Sequence, residues 1–321
     1  DPATARGLLT AGSPIARVAR PTPSERMMVI EDLRAAVARD EVPLDQLLAL
    51  VPAIAADPDP KVALRALDAG DLPTRGLSDA MYQAAERWRL RAFGARAAQL
   101  GWQRRPRDSE ELHELRRGVV PVAARRDPAL AAEATRLADR WLADHTAVAA
   151  DVAPLALAVA ARHGDTARFD RYLAAARTAR DRHEQQRLFS LLGGFLDPAL
   201  AARALALVAG RELDLRDTRQ IALRVLSHRE TRDLGLAFVT DHLDDLLARM
   251  RDDEAAGFLA DLAGAFCDPA RTAVVAALVS PRAARIDGAQ ASVSRALEES
   301  HQCIAQVERQ LPALQHILGA R

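Results

Sequence analysis

Residues 160–198, AARHGDTARFDRYLAAARTARDRHEQQRLFSLLGGFLDP, contain the signals for a complete pair of packed helices. Gly164 follows an apolar run and suits the left-handed position at which a helix ends, and Asp165 can accept backbone N–H bonds at the start of the next helix. Apolar residues then recur at helical spacing in two runs, at Phe169, Leu173 and Ala176, and at Leu188, Leu191, Leu192 and Phe195. The pattern predicts an αα-hairpin with both apolar faces turned inward.

Composition extends this prediction to the rest of the chain. Alanine and leucine dominate an apolar fraction of 49%, and aromatic residues make up only 4% of the 321 residues. Strands are enriched in β-branched and aromatic side chains, and no segment here alternates between apolar and polar residues as a strand does. We therefore expect an all-α fold with a substantial core.

Asp-Pro pairs recur at an even spacing. They begin at residues 57, 127, 197 and 268, separated by 70, 70 and 71 residues, which is about two helical hairpins. This repeat predicts a right-handed α-solenoid, a superhelix of HEAT- or armadillo-like antiparallel helix pairs. The alternative is that Asp-Pro is a good helix start and that the even spacing arose by chance.

Local signals set the predicted boundaries. Residues 1–21 have no sustained periodicity and are interpreted as a lead-in from an upstream domain, and residues 22–321 as a single helical domain. Thr22 and Glu25 have the spacing of a capping box, with Pro23 at the first helical position, before the first predicted helix of the domain. Further predictions are a helix over 44–56 kinked at Pro52, a capping box at Asp108 and Glu111, and a last helix over 289–318 interrupted by Pro312.

Charge and hydropathy exclude some classes of partner. The chain has 44 basic and 44 acidic residues, so no global field attracts it to nucleic acid or anionic lipid, and we expect no nucleic-acid partner. No apolar run approaches the ~20 residues that cross a bilayer, so we expect no membrane segment.

The chain starts at Asp1 without a leader or an initiator Met, which indicates a fragment of a longer protein. We expect a cytoplasmic location.

The sequence carries no recognisable catalytic or metal-binding motif. Zinc peptidases use H-E-x-x-H on a helix, and His183-Glu184 and His113-Glu114 begin that pattern but end it in Arg187 and Arg117, which cannot bind zinc. We therefore assign no metal ligand and no catalytic residue. The remaining histidines are interpreted as surface or capping groups, at 145, 163, 228, 242, 301 and 316.

Several cysteine, glycine, tryptophan and arginine residues outside these motifs can be interpreted as structural or as functional groups. Cys267 and Cys303 are too few for a disulfide framework and fit a reducing compartment, and Cys267 is predicted to be a buried inert thiol. Gly193-Gly194 is interpreted as a kink or a close helix contact rather than a phosphate loop. Trp102 and Trp141 are predicted to lie in the core.

Three arginine clusters have two interpretations. They either bind a carboxylate on a peptide-binding surface or form a solvated face paired with Glu110, Glu111 and Glu114. The clusters are Arg104, Arg105 and Arg107, then Arg116 and Arg117, then Arg125 and Arg126.

Several segments share a family resemblance. The pattern within 160–198 carries it, and so does the 22–69 segment, in which Ser24-Glu25-Arg26 precedes Leu-rich helices. Three shorter segments agree: Leu100-Gly101-Trp102, Phe266-Cys267-Asp268, and the 288–298 segment with Gly288-Ala289 and Ala296-Leu297-Glu298. In order and spacing they resemble the C-terminal helical domain of the M1 zinc aminopeptidases, known as the ERAP1-like C-terminal domain and found in aminopeptidase N-like enzymes. The resemblance spans nearly the whole chain.

The resemblance implies a role beside a catalytic domain. Such a domain packs against the zinc domain of the same polypeptide, closes over the active-site chamber, limits access to peptides and contacts the peptide substrate. Zinc and the hydrolase chemistry belong to the catalytic domain, which this chain lacks together with its G-x-M-E-N segment, so the chain alone is expected to be inactive.

Departures from the family pattern limit what can be carried over. The Tyr-containing, β-rich lead of the family is absent around Gly7-Leu8-Leu9, and Ala291 stands where the family often has Arg, so the substrate-binding residues stay unassigned. The alternatives are a stand-alone HEAT-like scaffold that binds a protein or nucleic acid, and an independent hydrolase.

Overall fold

The computed structural model describes residues 2–10, 13–19 and 21–319, and these contain α-helices, one 3-10 turn at Thr74–Gly76 and no strand. The predicted all-α fold is therefore confirmed. The helices are α1 (Pro2–Leu9), α2 (Pro14–Ala19), α3 (Pro23–Ala38), α4 (Leu44–Leu48), α5 (Val51–Ala55), α6 (Pro60–Ala69), α7 (Asp79–Leu100), α8 (Glu110–Ala124), α9 (Pro128–Ala143), α10 (Ala153–Arg162), α11 (Thr166–Thr178), α12 (Arg182–Leu192), α13 (Pro198–Ala209), α14 (Leu215–Ser227), α15 (Arg232–Leu247), α16 (Asp252–Ala263), α17 (Pro269–Ala283) and α18 (Ala289–Leu318).

Two compact units divide the chain. Unit 1 comprises residues 1–159 and 307–321, and unit 2 comprises residues 160–306. Because the family resemblance runs through both units, they do not test the predicted single domain over 22–321 or the predicted lead-in over 1–21. The lead-in itself contains α1 and α2, and α1 packs against α3.

Unit 1 is built from helices that contact their neighbours along the chain and the helices after those. α3 packs on α4 and α6, α5 on α6 and α7, and α8 on α6, α7 and α9. Ile30, Leu48, Ile54 and Leu115 are fully buried between them. Burial of such side chains contributes about 2 kcal/mol each, so apolar packing dominates the stability of this unit.

Unit 2 repeats the same arrangement of neighbours. α11 packs on α12, α12 on α14, α13 on α14 and α15, and α16 on α17. Phe195 meets the rings of Phe169 and Tyr172 edge to face at centroid distances of 5.2 and 5.8 Å. The hairpin predicted from residues 160–198 therefore forms with its aromatic faces inward. The superhelical form and its right hand stay predictions.

Most of the predicted helix starts are confirmed. Thr22 and Glu25 exchange both hydrogen bonds of a capping box, and the carboxylates of Asp127, Asp197 and Asp268 cap α9, α13 and α17. The pair at Asp57 is an exception, because the N-cap of α6 is Asp59. The sequence reads Asp-Pro-Asp-Pro there, and the second pair begins the helix.

Four other local predictions were wrong. The N-cap of α8 is Ser109 rather than Asp108. The predicted helix over 44–56 is instead two short helices, α4 and α5, which separate at Ala49–Leu50, and Pro52 lies inside the first turn of α5. Gly164 is not in the left-handed region; a Cβ there would lie 2.5 Å from Cε1 of Phe195, so close packing requires the glycine. α18 continues through Pro312 without a break.

Candidate functional site

The two incomplete zinc motifs lie in unrelated surroundings. His183 is exposed in the first turn of α12, where Asp181 accepts its backbone N–H, and Arg187 is exposed one turn later. No group of three or more His, Cys, Asp and Glu side chains within 2–10, 13–19 and 21–319 could hold a metal ion. The residues that the structure describes therefore offer no set of ligands for a zinc ion.

His113 on α8 belongs to a buried polar cluster that the sequence did not predict. The side chain is 4% exposed, its Nε2 contacts a carboxylate oxygen of Asp151, and its Nδ1 lies 3.4 Å from Nη1 of Arg116. Arg116 is itself 2% exposed and pairs with Asp108. Since both ring nitrogens of His113 have partners within the fold, neither is available to activate a nucleophile, as a catalytic dyad would require.

The three arginine clusters form neither a continuous carboxylate-binding surface nor a uniformly solvated face. Arg104 and Glu110 make an exposed ion pair at 2.8 Å, as the solvated reading predicted, but Glu111 pairs with Lys61. Arg125 instead reaches Glu86, whose carboxylate is 1% exposed. Several of these arginines therefore stabilise the fold through contacts with distant parts of the chain, which spacing could not predict.

The prediction that Cys267 is a free thiol was wrong. Cys267 and Cys303 form a disulfide with Cα atoms 5.5 Å apart, which joins the residue before the N-cap of α17 to α18. The two cysteines lie 36 residues apart in the sequence, and only the packing of α18 beside the end of α16 brings them together. The disulfide removes the cysteine argument for a reducing compartment, and the cytoplasmic location stays a prediction.

The predicted close helix contact at Gly193 is confirmed. A Cβ at Gly193 would lie 2.5 Å from the carbonyl oxygen of Ile221 and 2.9 Å from Cβ of Arg224. α12 and α14 can therefore approach closely only because position 193 has no side chain. Trp102, also predicted to be buried, is 2% exposed and donates its indole N–H to the carbonyl of Leu130 at 2.9 Å.

Polar side chains line the contact between α12 and α14, and we call this surface the α12–α14 face. The Arg182 guanidinium and the Gln186 amide both reach one carboxylate oxygen of Asp217, at 3.1 and 2.8 Å. One turn further along, Nε of Arg224 donates to Oγ of Ser190 at 2.8 Å. The first of these clusters contains a carboxylate, whereas the second contains only a hydroxyl as acceptor.

Two open grooves accompany these contacts. One groove, of about 630 Å³, lies in unit 1 between the end of α3 and the last turns of α18. The charged side chains that line it pair with one another, Arg309 with Asp40 and His316 with Asp45. The other, of about 380 Å³ in unit 2, lies between α16 and α18 and includes Asp261, whose pKa is raised by burial. Both could bind part of a peptide, and neither contains a nucleophile with an adjacent base.

Comparison with known proteins accounts for nearly the whole chain. Residues 2–302 match the model of a family described as the ERAP1-like C-terminal domain. No curated protein is significantly similar to the chain. Within the described residues, no helix has both the length and the apolar character needed to span a membrane.

Proposed function

We propose that this chain, which belongs to the ERAP1-like C-terminal domain family and so to the C-terminal domains of M1 aminopeptidases, caps the active-site chamber of its enzyme. In that position the domain limits which peptides reach the catalytic centre, and it contacts the peptide away from the bond that is cleaved. The cap acts by shape and by contact, without a chemical step of its own.

The observation that carries this proposal is the extent of the family match. It covers residues 2–302 and so includes both compact units almost completely, which supports assigning the two units to one C-terminal domain. A family match supports the position of the domain in the enzyme, and access control is the further step that we propose.

The side chains that could do chemistry support a non-catalytic role. His113 is engaged through both ring nitrogens, and Arg187 and Arg117 occupy the positions that a second zinc-binding histidine would need. We infer that the zinc ion is held by a catalytic domain elsewhere in the same polypeptide. That domain and the peptide substrate are the proposed partners.

The first test compares the isolated chain with the enzyme that contains it. The isolated chain, supplied with zinc, should not hydrolyse aminoacyl amides, and the reading frame upstream of residue 1 should encode H-E-x-x-H and G-x-M-E-N. Hydrolysis by the isolated chain would indicate an independent hydrolase. A reading frame without either motif would indicate a stand-alone scaffold, and the proposal would fail.

A further inference from the structure

We propose that Arg224 and Ser190 form a carboxylate-binding site on the α12–α14 face, which holds an acidic group of a bound peptide. This inference rests on the proposed function, because a domain that contacts substrate peptides needs groups that recognise them. The site would give the domain a preference for peptides according to their charge, in addition to their length.

The guanidinium of Arg224 has no carboxylate partner in the part of the chain that the structure describes. Its Nε donates to Oγ of Ser190 at 2.8 Å, and its Nη1 and Nη2 make no hydrogen bond or ion pair with a described residue. The side chain is partly buried, but neither Nη atom is among the fully enclosed unpartnered atoms, so both remain open to solvent. A ligand can therefore reach two donors of a fixed guanidinium.

Two other partly buried arginines, Arg26 and Arg249, are compensated within the fold. Arg26 is paired with Asp57, with Nε 2.9 Å from the carboxylate. Arg249 donates to the carbonyl of Val208 at 3.0 Å at the end of α13. Arg224 has neither kind of partner, and burial alone lowers the pKa of its guanidinium. A desolvated cation that keeps its charge without a counter-charge is costly, which favours a ligand as the missing anion.

The end of α12 compensates this charge only in part. The last carbonyl groups of a helix carry about half a negative charge, and Ser190 and Gly193 place Arg224 beside them. A half charge at a helix end explains why an arginine is tolerated there. It leaves the remaining positive charge for an anion.

The chemistry of the two side chains fits a carboxylate. Because the Ser190 hydroxyl accepts from Nε of Arg224, its own proton can be donated outward, beside the Nη groups of Arg224. A carboxylate can accept from the guanidinium through one or both oxygens and from the hydroxyl as well, and such charge-assisted hydrogen bonds are among the stronger ones.

The packing of α12 on α14 fixes the two groups relative to one another. Because a Cβ at Gly193 would clash with the backbone of Ile221 and with Cβ of Arg224, the helices can meet at this distance only around a glycine. The donors are therefore held in place before a ligand binds, which reduces the entropy that binding costs. An acidic side chain and a free C-terminus present the same group to this site.

The test measures the binding of three labelled peptides of one length to the full chain. The first has an internal Glu and an amidated C-terminus, the second has Gln and a free C-terminus, and the third has Gln and an amidated C-terminus. We expect at least one of the first two to bind about tenfold more tightly than the third, because a charge-assisted hydrogen bond is added. The peptide that binds more tightly identifies the source of the carboxylate.

Variants assign the effect to the site. Arg224→Met should abolish the tenfold preference, and Ser190→Ala should reduce it about threefold, since the guanidinium remains. Arg282→Met is the matched control; it removes one positive charge from α17, where Arg282 pairs with Asp244, and should keep the preference. Arg224→Met should also leave the Tm unchanged or raise it, because it removes an uncompensated charge.

Equal binding of the three peptides, or a preference that survives Arg224→Met, would overturn this site while the proposed peptide contact stands. A lower Tm of Arg224→Met with an unchanged preference would assign Arg224 a purely structural role. If no peptide binds the wild-type chain, both the site and the peptide contact fall, whereas capping is tested separately by the length dependence of cleavage.

Discussion

Single buried charges are stabilised in this protein by partners that lie both near and far in the sequence. Glu86 on α7 is 1% exposed and lies between Arg89 at 2.8 Å and Arg125 at 3.0 Å. The Tyr82 hydroxyl accepts a further hydrogen bond from Arg125. A buried carboxylate is tolerated only when charges and hydrogen bonds replace its water, so this cluster should be sensitive to the loss of one member.

Replacing Glu86 by glutamine should destabilise the fold by about 3 kcal/mol, because two arginines then lose their counter-charge in a poorly solvated site. The side chain keeps its size, so the loss reports the charge. Glu110→Gln is the matched control, since Glu110 is 73% exposed beside Arg104, and it should cost less than about 0.5 kcal/mol. Urea denaturation measures both variants, and equal losses would contradict the role of burial.

Asp108 should make stability depend on pH. The backbone N–H of Arg105 and the guanidinium of Arg116 hold the pKa of this carboxyl below its ordinary value. A lowered folded-state pKa stabilises the fold at pH values above the unfolded pKa of about 4, and this contribution is lost as the pH falls through the folded value.

Asp108→Asn should therefore be less stable than the wild type at pH 7, and the difference should narrow below about pH 4. Asp68→Asn serves as control, because Asp68 pairs with Arg65 at the surface. Thermal unfolding across this pH range measures both variants. A difference between Asp108→Asn and the wild type that stays constant down to pH 2 would contradict the assignment.

Residues that act on their immediate neighbours could be predicted from the sequence, and residues that act at a distance could not. The Thr22 capping box depends on four consecutive positions and was predicted correctly. The contact of His113 with Asp151 spans 38 positions and depends on how α8 packs, so spacing carried no signal for it. Arg224 also gave no signal, because the lack of a carboxylate partner becomes visible only in the folded chain.

At the scale of helices, the distance between α12 and α14 depends on one glycine. Gly193→Ala should destabilise the fold by about 2 kcal/mol, because the new Cβ would lie 2.5 Å from the Ile221 carbonyl and force α14 outward. Gly257→Ala is the matched control within α16, where the new Cβ would meet nothing within 4 Å. That change should stabilise by about 1 kcal/mol through helix propensity, and chemical denaturation of both variants tests the contrast.

The disulfide joins α18 to the residue that precedes the α17 N-cap. The paired replacement of Cys267 and Cys303 by alanine should lower the free energy of unfolding by about 4 kcal/mol, as expected for a crosslink that closes a loop of this length. Dithiothreitol should destabilise the wild type by a similar amount and leave the variant unchanged. Equal stability of the oxidised and reduced wild-type chains would contradict this prediction.

Helix boundaries show what the sequence leaves ambiguous at this scale. The Asp-Pro-Asp-Pro run offers two helix starts, and the structure uses Asp59 because Asp57 is 7% exposed and paired with Arg26. Proline commonly ends a helix, yet α18 continues through Pro312. Tertiary packing decides between such alternatives, and local propensity alone does not.

The family of the whole chain could be predicted from the sequence because its motifs, although each is short, occur in the order typical of that family. Leu100-Gly101-Trp102 and Phe266-Cys267-Asp268 lie in different units, and the family match includes both. The all-α class followed from composition and periodicity, whereas the superhelix predicted from the Asp-Pro spacing stays a prediction. The function that we propose at this scale depends on a catalytic domain, which we infer lies elsewhere in the same polypeptide.

Access control by this domain is the central claim, and it has a direct measurement. The complete enzyme is prepared with a protease site immediately before residue 2, where the family match begins, so that the whole domain can be released from the folded enzyme. The rates on a short peptide and on a long peptide are each divided by the rate on an aminoacyl amide, before and after release.

We predict that the attached domain slows the long peptide relative to the short one, and that release raises the ratio of long-peptide to short-peptide rates at least tenfold. The rate on the aminoacyl amide corrects for any loss of active enzyme, because this small substrate does not need the chamber to open. A ratio that is the same before and after release would contradict the account, since the domain would then not control access.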